Sequence, residues 1–265
     1  MTYKKYLPQF IKDRYKHFIS EYYIISYPKA GRTWLRFLIG YYLNNKYDLG
    51  LPLKDITTTR VFYDYGLPYI NFCHFGEPHL IKNNYVKKIN LKSLKNKKIV
   101  FLYRDPRPQS VSNYYQFFHR GDKKKLKNLK IDDNIDSFIL GNIGGIKSII
   151  DYYNLFLEFS IKNNVFFLKY ENMLVHSEKE IKSLFSFLNF PEDKILLNQT
   201  LVAGSKKNLS TLEQKNLLNS YHFGGTSNIN YKVRKNKLKW NEEIKPETLN
   251  IVNKLVKSEL NPFFL

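Results

Sequence analysis

Tyr22-Tyr23-Ile24-Ile25-Ser26-Tyr27-Pro28-Lys29-Ala30-Gly31-Arg32-Thr33-Trp34 is the stretch on which the reading of this 265-residue chain turns. Its first six residues form a β-branched and aromatic run, which predicts a buried strand. Pro28 to Gly31 breaks the run. From Arg32 to Lys46 the apolar residues Trp34, Leu35, Leu38, Ile39 and Tyr42 recur at helical spacing. The unit is therefore strand, turn, helix. A helix start carries unpaired N–H groups and the positive end of the helix dipole, so it favours an anion. Ala30 and Gly31 are small enough to let a ligand approach the backbone, and Lys29, Arg32 and the Thr33 hydroxyl surround that seat. The loop G-x-x-x-x-G-K-[ST] occurs neither here nor elsewhere in the chain, and the turn is not G-x-G-x-x-G. On local grounds alone, a lysine in such a turn also reads as plain surface charge.

Outward from this unit the pattern repeats. Ile99 to Tyr103 is a continuous apolar run, as in strands buried on both faces of a parallel sheet. Arg104-Asp105-Pro106 ends it, and Ser110 to His119 reads as helix, closed by Gly121. A third strand is expected over Val165 to Tyr170, after a helix from Gly145 to Ile161 and before one from Ser177 to Leu188. Pro246 and Pro262 bracket a C-terminal helix from Glu247 to Glu259. Strands alternating with helices imply an α/β fold, a single domain over residues 1–265 with a mostly parallel central sheet flanked by helices. Ligands in such sheets sit at the carboxyl ends of the strands, where both turns lie. The charged stretch from Asp122 to Asn134 is expected to be the most mobile loop.

Composition narrows the class. The single cysteine, Cys73, excludes an intrachain disulfide and a thiolate zinc cluster, and suits a reducing compartment. Met1 to Ser20 lacks the apolar core of a secretory signal, and Phe37 to Leu43 is far shorter than the ~20 residues of a membrane helix. A cytoplasmic protein without a transmembrane segment is expected. Net charge is +20, and between Lys82 and Lys130 there are 15 Lys and Arg against Asp105 and Asp122. Such a field favours anionic partners, although many of these lysines read as solvated surface in a chain rich in Lys, Asn, Ile and Tyr.

A second charged turn follows the second strand: Arg104-Asp105-Pro106-Arg107-Pro108-Gln109-Ser110-Val111-Ser112-Asn113-Tyr114-Tyr115. Arg104 can grip a phosphate with a bidentate fork and Ser112 can donate its hydroxyl; otherwise Arg104 is a structural partner of Asp105 or another acid. Together the two stretches resemble the sulfotransferase family that uses 3'-phosphoadenosine 5'-phosphosulfate (PAPS). Tyr27 to Trp34 resembles its Y-P-K-[SA]-G-x-T-W motif, and Arg104 to Tyr115 its R-[DN]-P-[RK]-x-x-x-x-S-x-Y-x motif. Tyr170-Glu171-Asn172-Met173, Ser205 to Glu213 and Val233 to Trp240 resemble later elements of that family, and Arg32 in the first loop is closest in style to bacterial members. The resemblance implies a P-loop-kinase-like sulfotransferase architecture and sulfuryl transfer by in-line displacement. PAPS would be the donor, 3'-phosphoadenosine 5'-phosphate (PAP) the product, and no metal would be needed. It implies that Lys29 is catalytic, donating to the leaving 5'-phosphate, and that Lys29, Ala30, Gly31, Arg32 and Thr33 together with Trp34 form the donor-binding turn. Arg104, Ser112, Arg234 and Lys235 would hold the 3'-phosphate, and Trp34 and Tyr170 would flank adenine.

The chain departs from the family pattern in three places. Asn236 replaces a glycine of the last element, whose second glycine is missing and whose Trp240 comes one residue early. Lys206 stands at the usual aromatic contact to adenine. Phe72-Cys73-His74 keeps the histidine of a K-[ST]-H element but not its lysine. A hydroxyl or amine acceptor needs a base, for which His74 is the candidate and His79 the runner-up; His17, His119, His176 and His222 lack such support. Cys73 reads as a buried thiol rather than a nucleophile. The acceptor is expected to be a small molecule or a glycan, since the aromatic content and the basic surface suit either. Two rivals remain: a P-loop-type nucleotide kinase, weakened by the missing G-K-[ST], and a basic nucleic-acid-binding module, supported by charge alone.

Overall fold

The computed structural model describes residues 8–120, 129, 131–218, 223 and 239–265. Ser20–Ser26 forms strand β1, in which only Glu21 is exposed. It lies between β2 (Tyr69–Cys73) and β3 (Lys98–Tyr103), with β4 (Val165–Lys169) beyond β3. The order is β2-β1-β3-β4, and every pairing is parallel. The three expected strands are present. The fourth, β2, is a half-buried edge strand whose Asn71 interrupts the apolar run that would have marked it.

Successive side chains of β1 and β3 point to opposite faces, and both faces are covered, as the continuous apolar runs require. Tyr22, Ile24, Val100 and Leu102 join one core cluster with Leu35, Leu38 and Ile39 of helix α2. Tyr23, Ile25, Ile99 and Phe101 join the other, with Tyr152, Tyr153 and Phe156. Each such fully buried side chain contributes roughly 1.5–3 kcal/mol.

The helices are α1 (Gln9–Ile19), α2 (Arg32–Lys46), α3 (Thr59–Asp64), α4 (Asn83–Val86), α5 (Pro106–Arg120) and α6 (Ile135–Leu140). They continue with α7 (Ile146–Ser160), α8 (Tyr170–Val175), α9 (Ser177–Phe187), α10 (Lys194–Ala203), α11 (Lys206–Gln214) and α12 (Pro246–Glu259). Helix α2 has the bounds its periodicity predicts. Helix α5 begins four residues before the expected Ser110, at Pro106. The Asp105 carboxylate accepts the Arg107 N–H at 2.9 Å, and prolines in a first turn remove only N–H groups that have no helical partner. Tyr170 opens α8 instead of closing β4. Most of the stretch from Asp122 to Asn134 lies outside the described residues; Asn134 caps α6 by accepting the Ser137 N–H at 3.0 Å. Among the described residues no helix is long and apolar enough to cross a membrane.

Gly40 shows how tightly α2 is seated. A Cβ there would lie 1.9 Å from the Ile56 carbonyl oxygen, a backbone atom that cannot swing aside. In an exposed helix, Gly→Ala stabilises by about 1 kcal/mol. Here Gly40→Ala is expected to destabilise by about 1–3 kcal/mol, read from urea unfolding midpoints. Unchanged or raised stability would refute this packing.

Candidate active site

The strand order reverses direction between β1 and β3, so the crevice above their carboxyl ends is the switch point where open α/β sheets bind ligands. The turn after β1 supplies one wall. Lys29 and Gly31 both have left-handed backbones, with φ of 70° and 97°. For lysine that conformation is uncommon and is the kind of strain found at functional sites. Gly31 is the N-cap of α2 and offers no side chain to its first-turn N–H groups. The Tyr170 ring packs onto Gly31 so closely that a Cβ would lie 2.5 Å from its Cδ2.

The turn after β3 supplies the second wall and braces the first. Arg104 Nη1 donates to the Lys29 carbonyl at 3.3 Å, and its guanidinium lies 4.9 Å from the Tyr170 ring centroid. Arg104 Nε is buried without a hydrogen bond, 3.9 Å from the Glu171 carboxylate. Asp105 pairs instead with Arg107, at 2.7 Å. Gln109 was not anticipated as a structural contributor. It is fully buried, donates to the Pro28 carbonyl at 2.8 Å and accepts from the Tyr153 hydroxyl. Tyr153 also accepts the Arg104 N–H at 2.9 Å. Glu171 accepts the Asp105 N–H at 3.1 Å. Both residues lie within stretches singled out in the sequence, but nothing local marks them as struts.

His74 follows β2, and the pairing of Ile25 with Cys73 brings it beside the end of β1. Its Nδ1 lies 2.7 Å from the Ser26 carbonyl, and Arg32 Nη2 lies 2.8 Å from its Nε2. A carbonyl can only accept and a guanidinium can only donate, so Nδ1 carries the proton and Nε2 is the acceptor. Burial, then the charges of Arg32 and His79, hold the imidazole pKa well below its ordinary 6.5. The ring is a neutral base. His79 stands edge-on to it, with centroids 5.5 Å apart. Burial pushes the Cys73 thiol up to about 11, only partly opposed by Arg32 and Arg36, so it is no nucleophile near neutrality.

One cavity of about 1840 Å³ joins these groups. Lys29, Gly31, Arg32, Thr33, Trp34, His74, Arg104, Ser112 and Tyr170 all line it. Ala30 is fully buried in the core, so its role in the turn is its small size. Trp34 and Tyr170 touch each other edge to face, centroids 6.0 Å apart, and Trp34 donates to the Gly204 carbonyl at 2.8 Å. Lys206 and Trp240 reach the same space. His17 also lines it, near Arg14, Lys16 and Phe18 of α1, which the sequence reading did not foresee. Arg234, Lys235, Asn236 and His222 lie outside the described residues.

Residues 20–264 match the family described as the sulfotransferase domain. The chain belongs to that family. Among its relatives, bovine sulfotransferase 1E1 is 26% identical over 81% of this chain and 72% of its own. Cytosolic sulfotransferase 7 of Arabidopsis thaliana is 27% identical over 72% of this chain and 64% of its own. The fold is that of mouse sulfotransferase SULT7A1, solved in complex with PAP, with a TM-score of 0.61 at 18% identity, covering 92% of this chain and 84% of that one. Retinol dehydratase, solved with androsterone and PAP, has a TM-score of 0.55 at 14% identity over 91% of this chain and 80% of its own. In this sulfotransferase domain, as the geometry above shows, the two charged turns meet over a single cavity.

Proposed function

We propose that this chain transfers a sulfuryl group from PAPS to a hydroxyl or amine of an acceptor. The observation that carries the reading is the meeting of the two turns at the switch point, where Arg104 holds the Lys29 carbonyl across the cavity floor. The residues fit a doubly anionic nucleotide. An uncapped helix start, a strained lysine and an arginine with a buried, unbonded Nε face one space. When bound, PAPS supplies an activated sulfuryl group whose transfer builds negative charge on the leaving 5'-phosphate oxygen.

Lys29 meets that charge with its ammonium, aided by Thr33 and the first N–H groups of α2. Arg104 and Ser112 hold the 3'-phosphate, joined in this reading by Arg234 and Lys235. Binding energy from that distant group orients the reacting one. Trp34 and Tyr170 offer the purine their common rim rather than a slot between parallel rings. His74 takes the acceptor proton on Nε2 as the new O–S or N–S bond forms, and the old S–O bond breaks toward Lys29. The cavity exceeds the roughly 300–1,000 Å³ of an ordinary ligand site, so it has room for an acceptor beside the nucleotide. Phe72, Phe75 and Phe117 line the acceptor side, and a hydroxylated metabolite or a glycan is the class we assign.

Calorimetric titration with PAP, against ADP and ATP, with and without magnesium, tests the reading. Tight binding of PAP without metal supports it; a preference for ATP with magnesium would replace it with a kinase. Arg104→Ala is expected to weaken PAP by about 10–150-fold, the worth of charged hydrogen bonds at roughly 1.5–3 kcal/mol. An unaltered dissociation constant would remove Arg104 from the phosphate site.

A further inference from the structure

His74 is presented in a state that cannot perform its task. The lone pair of Nε2 is the one ring position able to take the acceptor proton, because Nδ1–H is committed to the Ser26 carbonyl. Arg32 already donates to that lone pair at 2.8 Å. Arg32 is also the first residue of α2, at the helix start that forms the anion seat. Its side chain thus touches the imidazole nitrogen and lines the cavity onto which the turn opens, within reach of an anion seated there. We propose that Arg32 is a donor-sensing gate on the base, which blocks Nε2 of His74 until the donor's anionic groups draw the guanidinium to themselves. The inference rests on the sulfuryl-transfer reading above.

A guanidinium bond to a phosphate or sulfonate oxygen joins opposite charges and can be bidentate, and is about twice as strong as a neutral hydrogen bond. The exchange therefore runs toward the anion. His74 is half-buried in the cavity wall, with Nδ1–H held by the Ser26 carbonyl, so the departure of Arg32 leaves the Nε2 lone pair free to accept a proton in the cavity. The charges bearing on His74 are Arg32 and Arg36 from α2 and His79 from its own loop, all opposing its protonation. Pairing Arg32 with a bound anion offsets one of them and makes the ring a stronger base when the donor is present. Arg32 is thus a positioning residue that couples donor binding to base release.

The test follows the His74 Nε2 resonance in ¹⁵N-histidine-labelled protein, assigned with a His74→Gln variant. On saturation with PAP, or with PAPS and no acceptor, the resonance is expected to move toward that of an unbonded imine nitrogen. In Arg32→Ala it is expected to start there and to stay there. The acid limb of kcat/KM, read as PAP release from PAPS, should rise in Arg32→Ala by about 1–3 pH units, the usual effect of a nearby charge. Arg32→Lys should give a smaller rise. A wild-type resonance unmoved by bound PAP and by PAPS would overturn the gate, as would an acid limb unmoved in both variants. Failure of PAP and PAPS to bind would overturn the sulfuryl-transfer reading itself, and the gate with it.

Discussion

A Lys29→Ala variant is expected to lose about 10²–10³-fold in kcat, the usual worth of one donor aimed at developing charge, while PAP still binds. The two outcomes separate because they draw on different residues. Sulfuryl transfer leaves the sulfur only loosely bonded at the transition state, and the protein contributes mainly position and charge. Negative charge appears on the leaving oxygen only as its bond to sulfur breaks. A group at that oxygen therefore stabilises the transition state more than the bound donor. In the proposed reading the 3'-phosphate and the adenine are held elsewhere, by Arg104, Ser112, Trp34 and Tyr170, which all line the same cavity. The Arg104 contact is to the Lys29 main-chain carbonyl, which alanine retains. The measurement is PAP release from PAPS, to water or to a simple phenol, together with calorimetry of PAP on the same preparation. Unchanged turnover would remove Lys29 from the chemistry. Loss of PAP binding would show that the left-handed turn had collapsed, and Lys29→Gln would then separate charge from backbone. Lys29→Arg keeps the charge but moves it off a point ammonium, so it should recover only part of the rate.

What was legible in the sequence follows the range of the interactions. The strand–turn–helix unit is local: the β-branched and aromatic run of β1 and the spacing in α2 each need only their own residues, and α2 begins and ends where its pattern does. The second turn was legible for the same reason. That both turns lie at the ligand-binding end of the sheet came from the rule for carboxyl ends of strands; that they face one cavity follows from the adjacency of β1 and β3, which the sequence alone does not show. The partners of Arg32 were not legible. The sequence reading placed it against phosphate, and the fold places it against a histidine 42 residues away. That contact depends on the register of β1 with β2, an edge strand too short and too polar in its middle to declare itself. The Gln109 strut escaped for a related reason. A glutamine reads as surface until a buried tyrosine and two carbonyls are brought to it from elements distant in sequence.

Those buried tyrosines carry the second large prediction: stability should fall steeply above pH 10, and the site should fail with it. Tyr27, Tyr152 and Tyr153 are fully buried, and burial raises the pKa of each above its ordinary 10.0. In the unfolded chain these hydroxyls lose their protons near pH 10, while the native state keeps them. The unfolded state therefore binds fewer protons than the native state above pH 10, and stability declines as pH rises; below pH 10 the two states bind alike and this contribution is constant. Each group is worth about 1.4 kcal/mol per pH unit, so the three together take about 4 kcal/mol per unit. Ordinary domains have only about 5–15 kcal/mol to lose. Urea midpoints between pH 8 and 11 would show the slope, and Tyr152→Phe or Tyr153→Phe should each lower it by about 1.4 kcal/mol per unit, whatever lysine titration adds. A slope equal to wild type in both variants would mean that neither hydroxyl is held protonated by the fold. Function is linked to the same groups by hydrogen bonds. The Tyr153 hydroxyl binds the Arg104 N–H and carbonyl and the Gln109 side chain, and the Tyr152 hydroxyl holds the Phe75 carbonyl at 2.9 Å, one residue beyond His74. Removing the Tyr153 hydroxyl takes away the bonds that brace the backbone of Arg104, the arginine proposed to hold the 3'-phosphate. Because the native fold keeps Tyr153 protonated, PAP affinity should hold with rising pH until the fold itself is lost, whereas Tyr153→Phe should weaken it already at neutral pH.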